Sequence, residues 1–273
     1  MKDNFDSVIV NVVNECRSEN DIVNPVIRDD VFKILERHCY VVYYPLENED
    51  INGFHINRTL NGQRVHFVFI NTWNMVERQV FTAAHELGHI WSVYQKVKRH
   101  IPQIDEYVSL VSEEPPEEFV VNKFAAQLLM PADLFNDTMR DALEKLDYNG
   151  KSISKMNLLR LIASLMDTFL VGYKAVTKRL LEIGKLRSDV YVVVKGYEYE
   201  ADFNDTFNSI LKEGGHKRLN KRPKPNKNIT NLTDIIRTAE KTDCPLTSTI
   251  ETLKKEFEIS TAELWDQDSE VAF

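Results

Sequence analysis

The apolar positions at the start of the chain recur at helical spacing. Phe5, Val8, Ile9, Val12 and Val13 form one stripe. After a break at Asn24-Pro25, Val31, Ile34 and Leu35 form a second within a helix read from Val26 to Cys39. The period then shortens to that of strands. Tyr40-Val41-Val42-Tyr43-Tyr44 reads as a strand ended by Pro45, Phe54 to Arg58 as another, and Arg64 to Asn71 as its return, with Asn61-Gly62 as the hairpin turn. These runs predict a small antiparallel sheet. Helical spacing resumes from Met75 to Tyr94, through Val76, Val80, Ala83, Ala84, Leu87, Ile90 and Trp91, and Asn74 with Glu77 resembles a capping box. A polar stretch, Lys96 to His100, and a loop with Pro102 come next. The acidic segment Ser112 to Glu118, with Pro115-Pro116, leads into a mostly buried helix from Glu117 to Leu129, closed by Met130-Pro131.

Beyond residue 150 the pattern is mainly helical. Residues 152–187 read as a helix-turn-helix-like segment. Tyr191-Val192-Val193-Val194 reads as a strand, and Phe203, Phe207, Ile210 and Leu211 as a short helix. Residues 212–227 are basic and carry Gly and Pro, which predicts a solvated loop. Helices are expected over Ile229 to Ala239 and Leu246 to Phe257, with a short one at Ser260 to Trp265. The fold class is therefore α+β. Residues 1–188 are expected to form the main domain and 189–273 a mixed C-terminal extension.

Composition narrows the setting. A chain of 273 residues with 43% hydrophobic and 28% charged residues is long enough to bury a sizeable core. A net charge of −8 does not mark a general polyanion binder. Cys16, Cys39 and Cys244 are scattered and odd in number, which suits a reducing, cytoplasmic compartment rather than a disulfide framework. No apolar segment opens the chain as a signal peptide does. The most apolar run, Leu158 to Tyr173, is interrupted by Arg160 and Asp167 and is too short to span a bilayer, so no membrane association is expected.

The candidate chemistry lies in His85-Glu86-Leu87-Gly88-His89. Four residues at 100° each bring His89 to about 40° from His85 one turn along, so both imidazoles can reach one ion. Glu86, one residue on, reaches past the ion as a candidate base. A catalytic zinc site needs a third protein ligand. Gln95 occupies the position where a three-histidine pattern would place it, and His100 lies in the polar stretch. Among Glu113, Glu114, Glu117 and Glu118, Glu118 is best placed: it shares a helix face with Asn122, which could hydrogen-bond a ligand histidine. Glu113 and Glu114 read as a solvated acidic loop, and His55 and His66 on the strands as surface or core residues.

Two longer stretches resemble the ImmA/IrrE family of zinc metallopeptidases. Arg78 to His89 matches R-x-x-F-T-x-A-H-E-L-G-H. Glu118 to Pro131 matches E-x-x-A-N-x-F-A-A-x-L-L-M-P, with Val121 for the family's Ala. A weaker match, Phe169 to Leu180, carries Gly172 where the family has Ser. The resemblance covers about Tyr40 to Leu186. It implies a zincin-like fold, zinc (or Mn²⁺ or another divalent ion) held by His85, His89 and Glu118, and Glu86 as catalytic base. It also implies endopeptidase action on a helix-turn-helix DNA-binding repressor in a mobile-element or stress-response switch. Tyr94, Tyr107 and Tyr173 are candidates for stabilising the oxyanion. The competing expectation is a non-catalytic metal-containing binding protein, such as a toxin–antitoxin component or a transcriptional regulator. A regulator would meet DNA through Lys174, Lys178 and Arg179 or through residues 212–227.

Overall fold

The computed structural model describes residues 2–60, 63–146, 148, 150, 152–220, 227–241 and 247–258. The first apolar stripe becomes α1 (Lys2–Glu19), which buries Phe5, Ile9, Val12 and Val13, and the second becomes α2 (Asp30–Glu36). The strands follow as β1 (Tyr40–Tyr44), β2 (Gly53–Leu60) and β3 (Gln63–Asn71). β2 and β3 pair antiparallel, from Gly53 opposite Ile70 to Leu60 opposite Gln63. The expected turn residues Asn61 and Gly62 lie outside the described residues. The sheet is mixed rather than wholly antiparallel, because β3 returns between β2 and β1 and so runs parallel to β1, with Tyr40 opposite Phe67. Val41, Tyr43, Val68 and Ile70 face the helices and are buried, as the strand period requires. Rings stack on the other face, Tyr40 on Phe67 and Phe54 on Phe69.

The helix after the sheet is α3 (Val76–Ile90). No capping box forms at its start. Asn74 Nδ2 instead donates to the Ile51 carbonyl and to Asn52 Oδ1, and Glu77 accepts from the Asn220 amide. Tertiary partners have displaced the local cap. α3 stops short of Tyr94 because Ser92 adopts φ 53°, a left-handed conformation that turns the chain. The chain continues as α4 (Val93–His100) and α5 (Ile104–Val111), where the sequence suggests a polar stretch and a loop. Each of these short helices buries only two side chains, Val93 and Val97 in one and Ile104 and Val108 in the other, too few to register as a period. α6 (Pro116–Leu129) is the expected buried helix, with Pro116 in the first turn, where its missing amide costs nothing.

The remaining helices are α7 (Ala132–Lys145), α8 (Lys155–Phe169), α9 (Tyr173–Glu182), α10 (Ser188–Gly196), α11 (Phe203–Glu213), α12 (Leu232–Lys241) and α13 (Thr247–Glu256). The expected strand at Tyr191 to Val194 is thus helical. Tyr173 Oη donates to the Val194 carbonyl, and Val194 is buried while Val192 and Val193 stay exposed. The β1 edge it could have joined is taken by β4 (Asn228–Ile229). As a helix the segment satisfies its backbone internally. The short helix expected at Ser260 to Trp265 lies outside the described residues. One apolar core runs from Phe5 through Phe203, Phe207 and Leu211 to Leu219, past residue 188. A small second cluster joins Leu232, Ile236 and Ile250, and Phe257 beside it contacts the Tyr44 ring. In the described start of the basic stretch Lys212, Lys217 and Arg218 are exposed, while Leu219 is buried and Arg218 pairs with Asp29 at 2.7 Å.

The seam between α3 and α6 positions the site. A Cβ built on Gly88 would lie 2.8 Å from Val121 Cγ1 and 3.3 Å from Phe124 Cδ1. Only a residue without a side chain lets the two helices approach this closely. Gly88→Ala should cost about 1–3 kcal/mol by overpacking, read as a lower urea midpoint. Adding Val121→Ala, which removes the obstructing methyl, should recover part of that loss. A strictly additive double mutant would contradict this account of the seam.

Candidate metal centre

α3 and α6 each present one face to a common point. His85 and His89, one turn apart on α3, bring their Nε2 atoms to 3.1 Å from each other. Glu118, in the first turn of α6, places one carboxylate oxygen 3.2 Å from His85 Nε2 and the other 3.4 Å from His89 Nε2. Among the described residues, these three side chains form the one group of His, Cys, Asp and Glu that could hold a metal ion.

The hydrogen bonds around the rings decide what they can hold. His85 Nδ1 lies 3.0 Å from Asn122 Oδ1, and His89 Nδ1 lies 3.1 Å from Glu117 Oε1. With the Asn122 amide nitrogen donating to Glu114 Oε2 at 3.1 Å, its oxygen faces the ring and accepts. Both imidazoles therefore carry their proton on Nδ1 and turn an Nε2 lone pair inward. With both rings neutral, two lone pairs and a carboxylate meet there, an arrangement that a proton or a metal cation completes. The separations also fit: the edge of a tetrahedron with zinc bonds of about 2.0–2.1 Å is about 3.3 Å. The donor set of two nitrogens and one oxygen suits zinc and admits other divalent ions.

The sequence reading places Glu113 and Glu114 in a solvated loop. Glu114 in fact steadies Asn122 and lies 3.6 Å from Lys178 on α9, so a chain of polar contacts runs from α9 to His85. Glu117, passed over as a ligand, is the partner of His89. The signal for both was present in the sequence, as carboxylates flanking the start of the α6 helix that carries Glu118. His55 and His66 are not in the ligand group. They pair at 2.8 Å on β2 and β3, and the His55 ring centroid is 6.3 Å from that of His89, so the sheet brings a second imidazole pair alongside the centre. His100, the last residue of α4, also lies outside the ligand group.

Glu86 is buried beside the ligands, and that burial raises its carboxyl pKa above the ordinary 4.5 against the opposing pull of His85 and His89. Of the tyrosines, Tyr94 donates to Asp105, Tyr173 donates to the Val194 carbonyl, and Tyr107 packs its ring on Phe5. The cations of the helix-turn-helix-like segment are engaged within the fold. Arg179 is buried and donates to the Met130 carbonyl and to Gln127, Lys178 faces Glu114 and Lys174 faces Glu198.

A family model described as Peptidase_M78, IrrE N-terminal-like domain, matches residues 36–181, just over half of the chain. No curated protein and no solved structure matches significantly. No described helix is long and apolar enough to cross a membrane.

Two predictions follow from the geometry. Asn122→Ala removes the acceptor that fixes the His85 tautomer and should weaken zinc binding about 10–100-fold in a chelator-competition titration, with little change in the folded spectrum. The second concerns the metal-free protein. Burial opposes a proton on His85, but the Glu118 hydrogen bond and the charges of Glu86 and Glu118 outweigh it and raise the pKa above 6.5, while the His85 hydrogen bond lowers Glu118 below 4.5. The histidine's contribution to stability is full below pH 6.5 and is lost as pH rises through its raised pKa. The carboxylate's is full above pH 4.5 and is lost as pH falls through its lowered one. The chelator-treated protein should therefore gain stability from this pair between those two values and lose it on either side. Denaturation midpoints of wild type and Glu118→Gln, compared across pH, read that difference.

Proposed function

On the premise that the chain belongs to the IrrE N-terminal-like peptidase family, we propose that it is a zinc-dependent endopeptidase whose substrate is a helix-turn-helix DNA-binding repressor. The observation that carries the reading is the convergence of His85, His89 and Glu118 beside a buried Glu86. In this reading the three converging side chains hold the ion, while Asn122 and Glu117 orient the imidazoles. When bound, a divalent cation supplies a Lewis acid that polarises the scissile carbonyl and lowers the pKa of a water from about 15.7 toward about 7.

The chain's own groups do the rest. Glu86 takes a proton from the attacking water and returns it to the leaving amine. β2 is an edge strand in the order β2-β3-β1-β4, so its outer backbone groups can bind an extended peptide as a further strand. α3 lies against it: a Cβ on Gly53 would fall 2.6 Å from Thr82 Cγ2. A peptide on that edge therefore runs beside the helix that bears His85 and Glu86. The repressor as substrate rests on the family resemblance of the two metal motifs.

The test uses zinc-loaded wild type and Glu86→Gln at equal metal content, each mixed with a helix-turn-helix repressor from the same gene neighbourhood. Wild type should cleave it, and the variant should be slower by about 10²–10⁴-fold. Equal cleavage by both proteins would remove Glu86 from its role. Cleavage by neither would favour the binding-protein alternative.

A further inference from the structure

A hollow of about 470 Å³ opens beside the metal centre, lined by Asn122 on α6, by Arg78 and Thr82 on α3 and by α9. It adjoins a second hollow of about 230 Å³. The two share Glu49, Glu77, Arg78, Gly172, Tyr173 and Glu198. Their polar lining is unevenly satisfied. Arg179 and Lys178 are engaged with Met130, Gln127 and Glu114, and Glu182 with Lys123. Glu77 is only 4% exposed; its Oε1 accepts from the Asn220 amide, but its Oε2 is buried with no hydrogen-bond partner among the described residues. Glu198 Oε2 is likewise buried without a hydrogen bond among the described residues, and its ion-pair partner Lys174 stands 3.8 Å away.

We propose that this cleft is a binding site for a basic side chain, arginine or lysine, of a bound polypeptide, with the Oε2 atoms of Glu77 and Glu198, which accept no hydrogen bond among the described residues, as its acceptors. A buried carboxylate oxygen without a donor is costly to keep, and a guanidinium or ammonium group supplies the missing donors together with opposite charge. Burial is the largest influence on both carboxyls and raises their pKa above 4.5, against backbone hydrogen bonds and the charge of Arg78 at Glu77 and against the charges of Lys174 and Arg78 at Glu198. Glu49 and Asp50 add negative charge to the wall of the larger hollow. Gly172 keeps the shared wall low: a Cβ there would stand 3.9 Å from Glu77 Cγ. Asn122 lines the larger hollow and touches His85, so the site borders the metal centre. Its role in choosing substrates rests on the peptidase reading above; the binding itself does not.

The experiment measures binding of N-acetyl-arginine amide and of its neutral isostere N-acetyl-citrulline amide to the full chain by NMR titration. Wild type should bind the arginine compound at least about tenfold more tightly, with shifts at Gly172 and Asn122. Glu198→Gln should abolish the preference, and Glu77→Gln should do the same if it folds. Equal affinity for the two compounds in wild type would overturn the proposal. So would a preference that survives Glu198→Gln. A preserved arginine preference in a protein that cleaves no repressor would remove the peptidase reading and leave the cationic site standing.

Discussion

Two imidazole lone pairs and a carboxylate repel one another when held within 3.4 Å. The fold holds them there regardless, and the means are distributed over several elements. The i,i+4 spacing on α3 stacks the two rings. Glycine at position 88 lets α6 come close enough to offer Glu118. Asn122 and Glu117 occupy the outer ring nitrogens, so neither imidazole can turn its proton inward while those bonds last. In the metal-free protein the tension is relieved by a proton, which is why His85 gains proton affinity and Glu118 loses it. A divalent cation relieves it more completely, because one charge centre serves all three groups at once.

What could be read from the sequence is what local geometry determines. His85, Glu86 and His89 lie within one turn and a quarter of helix, and Glu118 and Asn122 within another. Their relative directions follow from the 3.6-residue period alone. That these two helices face each other does not follow from periodicity; the family resemblance supplied it. The failures have physical causes of the complementary kind. The Asn74–Glu77 cap was lost to partners in the segment before β2 and at Asn220, over a hundred residues away. The valine run at 191–194 has high strand propensity, but β4 already occupies the neighbouring edge of β1, so tertiary context decided its conformation. α4 and α5 each bury two side chains, which no window of sequence distinguishes from a loop.

The helix-turn-helix-like segment shows how the same residues change meaning in context. On sequence, Lys174, Lys178 and Arg179 are three cations on a candidate recognition helix. In the fold, Arg179 ties α9 to α6 through the Met130 carbonyl and Gln127, and Lys178 extends the contact through Glu114 to Asn122. α9 is thus a wall of the peptidase core. Its cations are engaged with groups of the same chain, and a phosphate backbone would have to compete for them.

That use of α9 also explains the character of the adjoining cleft. With Arg179 and Lys178 engaged by groups of the chain, the hollow between α3, α6 and α9 keeps Arg78 and Lys174 as counter-charge to its carboxylates. Glu77 and Glu198 are left with oxygens that accept no hydrogen bond among the described residues, Lys174 standing 3.8 Å from that of Glu198. A protein tolerates such groups at a cost of stability, and their placement beside a candidate metal centre gives that cost a use. Cation and anion complementarity thus operates at two neighbouring points: at the histidines, where the fold gathers electron pairs for a metal ion, and at Glu77 and Glu198, where it gathers them for a side chain. The two points are bridged by Asn122, which touches His85 on one side and lines the cleft on the other. A side chain bound in the cleft therefore shares its wall with the residue that sets the tautomer of a proposed metal ligand.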